Sequence, residues 1–241
     1  MQRILITGAN RGIGLAFVRA YLEAGDTLIF AACRNVERAT ELRALAEAAP
    51  GRVFPVALDV ADAASITASL AQVRSHTDAL DLLINNAGIL PGGVDAPERA
   101  TSAFGHLDAE AMLSVFHVNS IAPVMIAQAY ADLLRYGSHA RLINLSSDAG
   151  SIALRANGCD YSYPASKAAL NLLTRCLAGD FRADGVIVVS VHPGWIQTDM
   201  GGNDAPLTLG ETVPAMMRLF AELTLANSGA FLNWNGNSVA W

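Results

Sequence analysis

The sequence predicts an α/β fold in which a doubly wound parallel sheet of about seven strands carries helices on both faces. Short runs rich in Val, Ile and Leu alternate along the whole chain with longer segments of helical spacing, and this rhythm is typical of βαβ units. Hydrophobic residues make up 52% of the 241 residues and charged residues only 16%, as a sheet buried on both faces requires. The first run leads directly into a glycine-rich turn, which makes the fold Rossmann-type. Without a repeat or linker, residues 1–241 are expected to form a single NAD(P)-binding domain.

Each predicted strand is a short β-branched or Leu-rich run, and we place the strands at residues 3–7, 27–32, 53–58, 80–84, 141–145, 186–191 and 230–233. Each predicted helix has apolar residues three or four apart, and we place the helices at residues 12–24, 36–49, 63–75, 108–134, 163–182 and 211–225. Gly25 ends the first helix, and Pro50 with Gly51 ends the second.

Charge and composition argue against several kinds of partner. The formal net charge of −6 disfavours nucleic-acid binding. The sequence has no dense run of Lys and Arg, which disfavours binding to an anionic membrane. Cys33, Cys159 and Cys176 are scattered and the five histidines lack ligand spacing, so we predict neither a disulfide framework nor a metal site. The sequence shows no signal-peptide pattern and no apolar stretch of membrane-spanning length, and we expect a cytoplasmic protein.

The glycine-rich turn at the first strand–helix junction predicts a dinucleotide site. Glycine permits a tight turn at Gly8, close approach of a pyrophosphate at Gly12, and close packing of helix on sheet at Gly14. The helix N-terminus then faces the phosphates. The candidate cofactor-binding residues of this turn are Gly8, Asn10, Arg11, Gly12, Ile13 and Gly14. A tight turn that binds no ligand is the alternative.

The residues after the second strand favour NADP(H) over NAD(H). An acidic side chain there would bind the ribose 2′-hydroxyl of NAD, and the sequence has none between Ala31 and Asn35. Arg34 and Arg11 instead offer two guanidinium groups to a 2′-phosphate. The alternative is that both are ordinary solvated arginines.

Four further motifs follow in order, each near the end of a predicted strand or the start of a helix. They are Asn-Asn-Ala-Gly at residues 85–88, Asn-Leu-Ser-Ser at 144–147, Tyr-Pro-Ala-Ser-Lys at 163–167 and His-Pro-Gly-Trp at 192–195. Together with the glycine-rich turn, they resemble the short-chain dehydrogenase/reductase family from end to end. Within it, the chain is most similar to the sniffer-type carbonyl reductases and the bacterial C-factor group, through residues 4–12, 192–202 and 231–236.

Tyr163 and Lys167 are the candidate proton donor and its helper. A free phenol has a pKa of about 10, and a cation on the same helix face four residues later would lower it. Tyr161 is a rival phenol, but the residue four positions after it is Ala165. Such a Tyr–Lys spacing also arises by chance. The resemblance implies that Lys167 additionally holds the hydroxyls of the nicotinamide ribose.

Ser147 is the candidate hydrogen-bond donor to the substrate oxygen, with Ser146 as its competitor. The family pattern aligns the second serine of the pair with the catalytic one, although both could simply cap a strand end. Asn119 matches the family asparagine that orders a water linked to the lysine, and its role rests on the resemblance alone.

The resemblance also implies further cofactor contacts. It assigns Asp59 and Val60 to the adenine, residues of the Asn-Asn-Ala-Gly motif to the ribose side, and residues from the His-Pro-Gly-Trp motif onward to the carboxamide. These latter candidates are Asn85, Ala87 and Gly88 on the ribose side, and Pro193, Gly194, Ile196 and Thr198 at the carboxamide. For Asn85 an Asx turn is the alternative, and for Thr198 a surface hydroxyl.

Taken together, these residues predict an NADPH-dependent reductase of a small or medium carbonyl compound. Substrate choice is expected to come from loops at about residues 150–162 and 201–211 (hereafter the substrate loops) and from the loop after Ile89. The alternatives are a nucleotide-binding signalling protein of the C-factor type, or another reaction on the same fold. The family implies a homodimer or homotetramer.

Overall fold

The computed structural model describes residues 1–90, 103–156, 158 and 160–241, so Asn157, Cys159 and most of the loop after Ile89 lie outside the described residues. Seven parallel strands form one sheet in the order β3-β2-β1-β4-β5-β6-β7, which confirms the predicted fold class. The strands are β1 Gln2–Thr7, β2 Thr27–Cys33, β3 Val53–Ala57, β4 Leu82–Asn85, β5 Arg141–Leu145, β6 Ile187–His192 and β7 Phe231–Asn233.

Helices cover both faces of the sheet. They are α1 Gly12–Glu23, α2 Thr40–Ala48, α3 Ala63–Arg74, α4 Ala109–Phe116, α5 Ala122–Ala129, α6 Ala131–Arg135, α7 Ser162–Asp180 and α8 Leu209–Glu222. Alternate residues of one strand enter opposite cores: Ile4 and Ile6 pack with α1 and α8, whereas Leu5 packs with α3, α5 and α7. This period of two explains why the strand residues are apolar without interruption.

The predicted helix at residues 108–134 is interrupted twice. A π-helical turn, His117–Ile121, joins α4 to α5, and the chain leaves helical geometry at Tyr130 before α6. Pro123 has no N–H to donate to the carbonyl of Asn119, which accounts for an irregular turn at this point. Apolar spacing alone does not reveal such a break.

Two other helix starts were wrong in the prediction. α2 begins at Thr40 rather than residue 36, because the Asn35 side chain accepts the Arg38 N–H and stabilises a turn. α8 begins at Leu209 rather than residue 211, because Thr208 and Glu211 form a capping box.

β1 and β4 are neighbours in the sheet although β2 and β3 lie between them in sequence, so the direction of strand addition reverses at this pair. At such a switch point, the loops after the strands diverge and leave a crevice at their carboxyl ends. The turn at Gly8 and the motif at residues 85–88 follow these two strands. The fold therefore brings the predicted cofactor loops to one crevice.

One helical stretch among the described residues, Ala109–Ala129, is long and apolar enough to cross a membrane by length and composition. It contacts α7 through α4, and α3 through α5, as a core helix does. The described residues contain no cluster of His, Cys, Asp and Glu that could hold a metal ion.

We expect Asp81→Asn to destabilise the protein, because Asp81 joins three segments at the amino end of the sheet. Its carboxylate accepts the Arg3 backbone N–H at 2.8 Å, the Arg3 guanidinium at 2.6 Å and the Ser138 N–H at 2.7 Å. Loss of charged hydrogen bonds should cost about 1.5–3 kcal/mol, or roughly 3–12 °C in Tm. Thermal unfolding monitored by circular dichroism measures the change.

The loss of stability caused by Asp81→Asn should depend on pH. Burial alone would raise the pKa of Asp81, but the hydrogen bonds from Arg3 and Ser138 outweigh it and lower the pKa. This stabilisation is therefore present above the unfolded pKa of about 3.9 and is lost as pH falls through the folded value. Asp132→Asn, at an exposed ion pair, is the matched control and should change stability by less than about 1 kcal/mol. Equal losses in both variants would contradict the prediction.

Candidate active site

The glycine-rich turn favours glycine at three positions where the chain passes from β1 to α1, because φ is positive or because a side chain would meet the backbone. Gly8 and Gly12 have φ of +64° and +53°, which favour glycine. A Cβ atom at Gly14 would lie 2.3 Å from the Gly8 carbonyl oxygen. At Gly12 the space is open, with only the Thr198 methyl group 3.9 Å from an added Cβ. The backbone N–H groups at the start of α1 are thus open to a ligand in the crevice.

Asn86 connects this turn to the end of β4, and sequence reasoning missed it as a site residue. Its side-chain amide donates to the carbonyl oxygens of Thr7 at 2.7 Å and Gly8 at 3.0 Å. The Thr7 hydroxyl in turn accepts the N–H groups of Asn86 and Ala87, both at 3.0 Å. The position of Asn86 directly after the strand at the switch point could have identified it from the sequence.

Asn85, by contrast, turns its side chain into the core. Its amide donates to Asn144 Oδ1 at 2.9 Å and to the Pro123 carbonyl at 3.2 Å, and the residue is 3% exposed. Asn144 then donates to the Thr174 hydroxyl at 2.9 Å. Asn85 therefore connects β4 to β5 and α5.

Ser147, Tyr163 and Lys167 come together where β5 and α7 meet. The Tyr163 side chain hydrogen-bonds to that of Ser147. Lys167 is 5% exposed, and its ammonium group donates to the Leu145 carbonyl at 2.7 Å. The same nitrogen lies 5.7 Å from the centre of the Tyr163 ring. Leu145 and Ser147 at the end of β5 thus form one cluster with Tyr163 and Lys167, which lie one helical turn apart on α7.

Burial shifts both titratable groups of this cluster toward their neutral forms. Burial raises the pKa of Tyr163 to about 12; its hydrogen bond with Ser147 opposes the rise, and the carboxylates of Asp148 and Asp160 add to it. Burial lowers the pKa of Lys167 to about 8. The sequence led us to expect a lowered tyrosine pKa, and that expectation was wrong for the protein alone, because desolvation outweighs the nearby ammonium. A phenol that keeps its proton is suited to donate it.

The competing phenol and the competing serine lie elsewhere. Ser146 is buried and donates to Asn171 Oδ1 at 2.6 Å, which connects β5 to α7. Tyr161 is 40% exposed, and its ring faces Phe104. Ser146 Oγ also lies 3.4 Å from the Lys167 backbone carbonyl, but neither side chain contacts the Lys167 ammonium group.

Asn119 lies in the π-helical turn and is fully buried. Its side-chain oxygen accepts the Ile89 N–H at 2.8 Å, and its amide donates to the Ile89 carbonyl at 2.9 Å and to Ser166 Oγ at 3.1 Å. Gly88 is held beside it, where an added Cβ would come within 3.8 Å of the Lys167 ammonium. The Asn119 side chain thus orients the backbone after β4.

The remaining candidates form the rim of the crevice. Arg11 forms an exposed ion pair with Asp199 at 2.9 Å, whereas Arg34 is exposed and has no recorded partner among the described residues. The Asp59 side chain accepts the Ala61 N–H at 3.0 Å in an Asx turn, and Val60 is buried.

The segment after β6 is tightly built. Pro193 is half-buried, and an added Cβ at Gly194 would lie 2.5 Å from Leu207. Ile196 is 3% exposed and pairs with Leu207, while the Thr198 hydroxyl accepts the Gly201 N–H at 3.1 Å. These contacts fix the shape of the segment, and the Arg11–Asp199 ion pair joins it to the glycine-rich turn.

A cavity of about 400 Å³ lies between α7 and the first substrate loop. On the helix side it is lined by Tyr161, just before α7, and by Pro164, Ala165 and Ala168 of α7. At about 100° per residue, these positions lie on a different face of α7 from Tyr163 and Lys167. The cavity is therefore adjacent to the Ser147–Tyr163–Lys167 cluster and separate from it.

Comparisons with known proteins agree with this geometry. A family model described as short chain dehydrogenase matches residues 2–206. The chain is 37% identical over 165 residues to C-signal of Myxococcus xanthus, covering 68% of this chain and 95% of that protein. The crystal structure of NADPH-bound carbonyl reductase from chicken fatty liver is 40% identical with a TM-score of 0.89, covering 100% of this chain and 99% of that one. Carbonyl reductase Sniffer of D. melanogaster is 32% identical with a TM-score of 0.92, covering 100% of both chains.

Proposed function

Because the chain belongs to the short-chain dehydrogenase family, a family of oxidoreductases, we propose that it is an NADPH-dependent reductase of small or medium carbonyl compounds. The observation that carries the proposal is the cluster of Ser147 and Tyr163 beside the buried ammonium of Lys167. The NADPH-bound state of the chicken carbonyl reductase supports the choice of cofactor.

The crevice fits a dinucleotide. Its turn has two glycines with positive φ, and a side chain at Gly14 would strike the Gly8 carbonyl, so the backbone is free to approach a pyrophosphate. In our proposal, Arg11 and Arg34 contact the 2′-phosphate, and Asp59 with Val60 borders the adenine. When bound, NADPH supplies the hydride of the reaction.

The protein's own residues supply a proton and hold the substrate oxygen. Ser147 donates a hydrogen bond to the carbonyl oxygen, and Tyr163 gives its phenolic proton to the same oxygen as negative charge develops there. The raised pKa of Tyr163 keeps that proton in place before the reaction. Lys167 stabilises the resulting tyrosinate, and Asn119 keeps the backbone at Gly88 in place beside it.

The proposal is tested by NADPH oxidation against a panel of aliphatic, aromatic and quinone carbonyls, with NADH as the control. Turnover with NADPH on at least one class is the expected result. Tight NADPH binding with no turnover on any class would overturn it. That outcome would favour a nucleotide-binding signalling protein, the second candidate, which the 37% identity to C-signal supports.

Arg34 should set the choice between the two nicotinamide cofactors. It is exposed at the end of β2, and no acidic side chain competes for the ribose between Ala31 and Asn35. A charged hydrogen bond is worth about 1.5–3 kcal/mol, so Arg34→Gln should raise KM for NADPH by about tenfold or more. KM for NADH should change little. Arg38→Gln, a nearby exposed arginine, is the control, and an equal effect there would contradict the assignment.

We also propose that the substrate loops choose the carbonyl compound and that the protein is a homo-oligomer. Exposed apolar side chains on α4–α5 and α7 support the second point: Leu113 and Leu172 are 61% and 64% exposed. Such exposed side chains are typical of an interface. Sedimentation equilibrium distinguishes a monomer from a dimer or tetramer.

A further inference from the structure

His192 lies at the end of β6, next to the end of β5 that leads into Ser147. The Ser146 N–H donates to the Val191 carbonyl at 2.8 Å, so the two strand ends stay paired up to this point. The side chain of His192 is 13% exposed. Its Nδ1 accepts the backbone N–H of Asp148, the residue after Ser147, at 3.1 Å.

This contact fixes the turn that carries the Ser147 hydroxyl. Ser147 Oγ donates to the Asp148 carboxylate at 3.2 Å and accepts the Ala149 N–H at 3.1 Å. The same carboxylate lies 3.7 Å from His192 Nδ1. Both backbone and side chain of Asp148 are therefore held beside the imidazole, and the orientation of Ser147 depends on them.

The contact requires a neutral imidazole with its proton on Nε2, because Nδ1 must keep its lone pair to accept the N–H. Burial lowers the pKa of His192, and the Asp148 carboxylate only partly opposes this. The neutral form is thus the one that the surroundings favour.

We propose that His192 is a positioning residue for Ser147, acting through the backbone of Asp148 rather than by touching the substrate. The inference rests on the proposed carbonyl reduction. Without the acceptor at Nδ1, the peptide after Ser147 is free to rotate, and the hydroxyl no longer points steadily at Tyr163 and the carbonyl oxygen. Turnover then falls, while cofactor binding is unchanged because His192 itself is not among the residues assigned to the cofactor.

The test compares His192→Leu, which removes the acceptor, with His192→Asn, whose side-chain oxygen restores it near the position of Nδ1. We expect kcat to fall about tenfold or more in the leucine variant, below the roughly 10²–10³-fold loss for removing a donor outright. KM for NADPH should stay within twofold. The asparagine variant should recover most of kcat, and His139→Asn, at the opposite end of β5, should match wild type. Wild-type kcat in the leucine variant, or no recovery in the asparagine variant, would overturn the inference.

A second readout does not need turnover. Amide hydrogen exchange at Asp148 should be faster in His192→Leu than in wild type and should return to the wild-type rate in His192→Asn. If the wild-type protein reduces no carbonyl, the proposed function fails, and this exchange still decides whether His192 holds the turn; unchanged exchange overturns the inference. Should the leucine variant fail to fold by circular dichroism, His192→Gln, with its oxygen one bond further out, replaces it.

Discussion

Replacing Tyr163 with Phe is expected to lower kcat for carbonyl reduction by about 10²–10⁴-fold, the usual contribution of a general acid. The substitution removes one oxygen atom, which is both the proton source and the hydrogen-bond partner of Ser147. The aromatic ring remains, so its packing beside Lys167 is preserved. NADPH oxidation under saturating carbonyl and cofactor measures the loss.

The chain provides a control remote from the candidate site. Tyr136 is 75% exposed and belongs neither to the cluster nor to the substrate loops, so Tyr136→Phe should keep kcat within about twofold. NADPH affinity, measured by fluorescence titration, should be unchanged in both variants. Comparable losses of kcat in the two variants, or turnover that survives in Tyr163→Phe, would remove Tyr163 from its proposed role.

Replacing Gly14 with Ala is expected to weaken NADPH binding by about tenfold to 100-fold. The new Cβ would lie 2.3 Å from the Gly8 carbonyl oxygen and 2.6 Å from the Asn86 side-chain nitrogen. Because one of these atoms is backbone, α1 must move away from the end of β1. Overpacking of this kind costs about 1–3 kcal/mol, and each 1.4 kcal/mol transmitted to the site is a factor of ten in Kd.

Gly179→Ala in α7 is the control for this substitution. No atom lies within 4 Å of an added Cβ there, and alanine is favoured over glycine inside a helix. Stability should rise by up to about 1 kcal/mol, with NADPH affinity unchanged. If Gly14→Ala binds NADPH as wild type does, the crevice at this turn is not the cofactor site.

Local patterns in the sequence were sufficient for the architecture. Uninterrupted apolar runs predict strands buried on both faces, and the period of two in β1 directs Ile4 and Leu5 into separate cores. The glycines at positions 8, 12 and 14 predict a tight strand–helix junction, because a side chain there either strains the backbone or meets it. These features depend on residues close together in the chain, so spacing alone reveals them.

The different orientations of the Asn85 and Asn86 side chains depended on the tertiary structure. Both residues belong to one motif, and only the pairing of β4 with β1 and β5 turns one side chain toward Thr7 and the other toward Asn144. The contacts of Asn119 with Ile89 and of His192 with Asp148 have the same origin. Their partners are 30 to 79 residues distant along the chain.

The pKa shifts in the candidate site also could not be predicted from the sequence. The four-residue spacing of Tyr163 and Lys167 correctly places both side chains on one helix, and by itself it predicts a lowered tyrosine pKa. In the folded chain burial raises that pKa to about 12, and Asp148 and Asp160 add to the effect. The sequence determined that Tyr163 and Lys167 share one helix face, because periodicity is local. Only the tertiary structure decided the direction of their pKa shifts, because desolvation depends on everything that packs around them.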